Sequence, residues 1–84
     1  MNMTKLLKQG DFFKSSDLSL AVTISLWFPL DLIDKTNPKR AEFIFKREQG
    51  LDELVESYWS GKLRIEPKQF TSQMRIIKSR LYEN

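Results

Sequence analysis

The chain contains neither cysteine nor histidine. Without cysteine there is no disulfide to brace the fold and no thiolate to serve as nucleophile or soft metal ligand. Without histidine the imidazole base is missing, as is the commonest zinc ligand. The acidic residues lack the spacing of a calcium or magnesium loop. Glycine is scarce: the three present, Gly10, Gly50 and Gly61, are too scattered to form a phosphate-cradling loop. A serine nucleophile would need a lysine or carboxylate as its base. The acids best placed for paired-carboxylate hydrolysis, Asp31 and Asp34, sit beside a turn and read as solvent-facing. These gaps point to a protein that is not an enzyme, with no catalytic residues, no cofactor and no metal.

Long apolar runs are missing too. The greasiest stretch, after Asp17, meets Pro29 roughly eleven residues later, where a membrane span needs roughly twenty. The opening MNMTKLLKQGD has only Leu6-Leu7 as an apolar run and no cleavage site of a secretory signal. The expectation is no membrane partner and a cytoplasmic location.

What is present suits one small folded domain. Eighty-four residues leave room for a single core. Apolar residues make up 40% and charged ones 30%, a balance of folded rather than disordered chains. The net charge of +3 permits contact with phosphate or acidic protein surfaces and demands neither. So short a chain also gives a weak prior for a second copy as support.

Along the chain, residues 1–10 read as a flexible arm and residues 11–84 as the domain. DFFKS (11–15) suits a first strand. Asp17, or Ser16 before it, can cap a helix that Pro29 stops. Leu18, Ala21, Val22 and Ser25 share one face of that helix, and Leu20, Ile24 and Trp27 another. Apolar residues nearly all round imply a central helix covered by a sheet on one side and a helix on another. VTISLWF (22–28), rich in strand formers, is the rival strand reading. LDLI (30–33) and AEFIFKRE (41–48), joined by the turn-forming DKTNPKR, read as an antiparallel hairpin. There Ala41, Phe43 and Phe45 point one way, Glu42 and Lys46 the other.

LDELVESYWSG (51–61) reads as a second helix with Leu51, Leu54, Val55 and Tyr58 inward, stopped by Gly61. LRIE (63–66) is a further short strand or a spacer. Pro67 starts a last helix whose Phe70, Met74, Ile77 and Leu81 form a clean stripe. The fold class expected is α+β, about three helices on a two- or three-stranded antiparallel sheet.

Several of these segments carry a resemblance: Lys14-Ser15-Ser16-Asp17-Leu18 with Leu20-Ala21 behind it, the Phe43 and Phe45 strand, Tyr58…Gly61…Ile65-Glu66-Pro67…Phe70, and Lys78…Leu81-Tyr82. Together they resemble a family of short, uncharacterised bacterial and phage proteins known only as a domain of unknown function. The likeness spans nearly everything after residue 10. It implies a compact mixed domain in a phage or mobile-element setting, and no catalytic residues. In the family pattern a glycine commonly follows the first helix, where this chain has Phe28-Pro29, so the turn there is expected to differ.

Function has to be sought in charge and exposed aromatics. From Lys62 to Arg80 there are six basic residues and one acid. Lys68, Arg75, Lys78 and Tyr82 share one side of the last helix, a side able to lie along DNA or RNA and release counterions. Lys35, Lys39 and Arg40 in the hairpin loop extend that footprint if the fold brings them alongside. The plain alternative is that basic residues late in a helix suit its dipole and keep the protein soluble.

Trp27 and Tyr58 are assigned to the core. Trp59, beside Ser60-Gly61, is the aromatic best suited to touch a partner. With Asp52 and Glu56 nearby to repel phosphate, that partner would be a protein. Lys14-Ser15-Ser16-Asp17 suits a helix cap better than an anion cradle, because the Asp17 carboxylate satisfies the same amides.

Three readings follow: a nucleic-acid-associated accessory protein, a phage-type module or inhibitor acting on a host protein, or a homodimer whose first helix is fully covered only by a second copy.

Overall fold

The computed structural model describes residues 11–83. Strand β1 (Phe12–Ser15) leads into helix α1 (Leu18–Ser25), then β2 (Leu32–Asp34), β3 (Glu42–Lys46), α2 (Leu51–Trp59) and α3 (Pro67–Tyr82). The expected α+β class, with three helices against an antiparallel sheet, is what the chain adopts.

The sheet order is β1-β3-β2, with β3 antiparallel to both neighbours. Phe13 sits opposite Phe45, and Ile33 opposite Phe43. This β-α-β-β-α run is the split β-α-β arrangement without its closing strand. Residues 62–66, open between strand and spacer in the sequence, carry no regular structure.

Alternation along β3 divides the sheet faces. Phe43 and Phe45 enter the core with Leu20, Ile24, Leu51 and Ile77. Ile44, also buried, lies outside that cluster on the opposite face, as do its cross-strand neighbours Lys14 and Leu32. The strand is thus apolar on both faces at its centre.

Helix α1 begins where Asp17 stops extended backbone: its carboxylate accepts the Leu20 amide at 3.1 Å, satisfying an orphan donor of the first turn. The strand reading of residues 22–28 loses to this cap and to burial. Leu20, Ala21, Val22, Thr23 and Ile24 are all at most 2% exposed, with α1 packed against β1, α2 and α3. A fully buried leucine or isoleucine side chain contributes about 1.5–3 kcal/mol. Thr23 satisfies its buried hydroxyl by donating to the Ser19 carbonyl at 2.8 Å.

The helix stops at Ser25, and a turn follows in which Phe28 still donates to the Ile24 carbonyl at 2.8 Å. That early stop corrects the assignment of Trp27 to the core. The turn carries its indole outward to 52% exposure. Tyr58 is half-buried against the core, as expected.

Helix α2 ends in a complete Schellman motif: Lys62 N donates to the Ser57 carbonyl at 3.1 Å and Gly61 N to Tyr58 at 3.2 Å. Gly61 takes the positive φ of 76° that the motif needs. Helix α3 has Pro67 in its first turn, and the Glu66 carboxylate accepts the Gln69 amide at 2.8 Å. Ile77 is buried, and Phe70, Met74 and Leu81 pack around it. No helix among the described residues is long and apolar enough to cross a membrane.

Candidate nucleic-acid interface

Helix α3 is 16 residues long, about 24 Å at 1.5 Å per residue. At 100° per residue Lys68, Arg75 and Lys78 fall within an arc of about 80°, turned away from Ile77. All three are exposed. The hydroxyl residues Thr71 and Ser72 lie between Lys68 and Arg75 on the same shallow surface. Among the described residues, the ion pair that forms is Arg47 with Asp52, so these three ammonium and guanidinium groups are not neutralised by a described carboxylate.

The loop between β2 and β3 comes to the other end of the same helix. Lys35 Nζ donates to the carbonyls of Glu83 at 2.5 Å and Arg80 at 3.4 Å. These are carbonyls that a helix end leaves without partners. Across the loop, Arg40 Nε donates to Ser16 Oγ at 2.9 Å, tying the loop to the start of α1. Thr36 and Lys39 donate their amides to the Asp34 and Asn37 side chains, both at 2.9 Å, so the loop is built on two side-chain turns.

The fold therefore brings Lys35, Lys39 and Arg40 to the C-terminal end of α3, where they line a shallow cleft with Leu81 and Tyr82. Lys68 and Arg75 lie nearer the helix start, and Lys78 comes one turn before Tyr82. The six cations do not form one cluster: Lys68 and Arg75 line one surface, Lys35, Lys39 and Arg40 another. Lys35 is partly engaged in capping, a contact between residues 48 apart that local sequence does not show.

Acidic groups lie mostly on other surfaces, with Glu66 and Glu83 at the two ends of α3. Asp52, Glu53 and Glu56 share the outward side of α2. Asp34 and Glu42 are cross-strand partners and line a separate depression with Thr36, Asn37 and Arg40. Hydrogen bonds from the Thr36 hydroxyl and amide, with Lys14 adding attraction, hold the Asp34 carboxyl below its ordinary value. Trp59, at the end of α2, is 63% exposed, as its place off the apolar stripe predicts. Its ring stands edge-on to Tyr58 with centroids 5.0 Å apart. Burial and the nearby Asp17 carboxylate push the Tyr58 phenol upward, partly offset by Ser19.

At the start of α1 the amides meet Asp17 itself, and Ser15 Oγ accepts the Asp17 amide at 3.0 Å. Ser16 is taken by Arg40. The segment is a cap. No group of three or more metal-ligating side chains gathers among the described residues.

No curated protein and no solved structure matches the chain. A family model does, over residues 12–83, which takes in every element from β1 to α3. The chain belongs to that family, described as "Domain of unknown function (DUF5659)".

Proposed function

We propose that this domain is a small non-enzymatic accessory protein that binds nucleic acid along the outward side of α3, with the β2–β3 loop as an extension. The observation that carries the reading is the exposed run of Lys68, Arg75 and Lys78, none of them paired with a carboxylate among the described residues. Segregation supports it: the acids of α2 face another surface, and between its caps Glu66 and Glu83 helix α3 carries no acidic residue, so a polyanion lying along its middle meets one sign of charge. A cytoplasmic, phage or bacterial setting belongs to the same reading.

The test is fluorescence anisotropy of labelled single- and double-stranded DNA and RNA at two salt concentrations. Three phosphate contacts give a slope of log affinity against log salt of about −2 to −3. Arg75→Glu with Lys78→Glu should weaken binding at least tenfold while leaving the thermal midpoint unchanged. Flat traces at low salt would remove the proposal.

A protein-interaction module is the second reading, favoured by Trp59, a large exposed aromatic beside acidic Asp52 and Glu56. The ground for a homodimer is weaker, because a single chain already buries Leu20, Ala21, Val22 and Ile24 of α1. Sedimentation over a concentration series tests it.

A further inference from the structure

We infer that the cleft between the β2–β3 loop and the last turn of α3 is a seat for single-stranded nucleic acid, with Tyr82 as the platform on which one base stacks. The inference rests on the nucleic-acid reading above and adds which strand form is taken, and where.

Tyr82 is 75% exposed, although it ends a helix whose other large apolar residues mostly pack inward. Its ring has no stacking partner among the described aromatics, where the ring pair formed is Tyr58 with Trp59. It shares its cleft with Lys39, Arg40, Pro38 and Leu81, and no carboxylate among the described residues lines that cleft. An exposed aromatic ring beside cations is the pairing that takes single strands. The ring offers a π-face to any base, and the cations hold the phosphates on either side. A duplex hides its base faces and cannot use Tyr82 in this way.

The cleft is also held in shape before any ligand arrives. Lys35 fastens the loop to the last carbonyls of α3, and Arg40 Nε fastens it to Ser16. Among the described residues no further contact takes the terminal nitrogens of Arg40 or the ammonium of Lys39, which are left for phosphate. A preformed site loses less ordering entropy on binding. Glu83, exposed and next to Tyr82, opposes the polyanion, so its neutralisation should strengthen binding.

The experiment compares a labelled ten-nucleotide single strand, the duplex of the same sequence and a labelled poly-glutamate peptide. The proteins are wild type, Tyr82→Ala, Tyr82→Phe, Lys39→Glu, Glu83→Gln and the Lys68→Glu/Arg75→Glu double variant. The single strand should bind most tightly. Tyr82→Ala should weaken it about tenfold without changing the salt slope, since a neutral ring releases no counterion.

Tyr82→Phe should retain binding, Glu83→Gln tighten it, and Lys39→Glu weaken it with a shallower salt slope. Thermal midpoints report whether each variant is folded. If Tyr82→Ala binds as wild type, or the duplex is preferred, while Lys68→Glu/Arg75→Glu still weakens binding, this inference fails and the α3 reading stands. Equal binding of the poly-glutamate peptide would assign the cleft to acidic protein segments instead and overturn it. No binding by wild type to either nucleic acid ends both.

Discussion

Lys35 donates its ammonium to the carbonyl of Glu83, joining the loop between two strands to the end of the last helix. The contact places a positive charge where the α3 dipole is negative and gives two orphan carbonyls a donor. Replacing Lys35 with methionine keeps the aliphatic stem and removes the charge. The expected loss is about 0.5–1 kcal/mol, the usual worth of a cation at a helix C-terminus. Urea denaturation checks the size. Faster amide exchange confined to the last turn of α3 and the loop checks the place, and uniform exchange throughout would contradict it.

Asp17 makes the corresponding contact at the start of α1, where its carboxylate accepts the Leu20 amide. Asp17→Ala should lower stability by about 1 kcal/mol, and Asp17→Ser should recover most of it. Nucleic-acid affinity should not change in either variant. If Asp17→Ala altered binding and left stability intact, the segment would be an anion site after all.

The parts of this fold that were legible in the sequence are those governed by local spacing. Phe70, Met74, Ile77 and Leu81 show their helix through period alone, and Phe43 and Phe45 show their strand. What local spacing leaves hidden depends on contacts distant in sequence. Trp27 reads as core because helical periodicity continues through it. The helix, however, ends at Ser25, and the turn before Pro29 directs the indole to solvent.

The helix start at Glu66 was open to detection through Pro67 at the first helical position and Gln69 three residues after the cap, while glutamate is not a usual cap residue. For the candidate site, the charges on α3 were legible and the meeting of the loop with Tyr82 was not. That meeting is fixed by the return of β2 and β3 past the start of α1, which no spacing within the loop encodes.

Both ends of α2 depend on glycine, at φ 95° for Gly50 and 76° for Gly61. A Cβ at Gly61 would meet nothing within 4 Å, and one at Gly50 would touch only the Phe28 ring edge at 3.6 Å. Collision is therefore not the penalty; backbone strain is. Gly50→Ala and Gly61→Ala should each lower stability by about 1–2 kcal/mol, the difference between left-handed glycine and alanine. Equal values for the two would confirm strain as the common cause. A much larger loss at Gly50 would show that Phe28 cannot yield.

The Tyr58 phenol is held above its ordinary value, first by burial and then by the Asp17 carboxylate. A raised folded-state value means the fold favours the neutral phenol. The stabilisation it brings is therefore complete below pH about 10 and is lost as pH climbs through the folded-state value. Ultraviolet titration of phenolate formation should show a late-ionising component in the native protein that moves to lower pH in urea. Tyr58→Phe should abolish that component and lessen the alkaline fall in stability. Asp17→Asn, which removes the repelling charge but leaves the burial, should shift the component only part of the way down. A full return to the ordinary value in Asp17→Asn would make charge, not burial, the main cause.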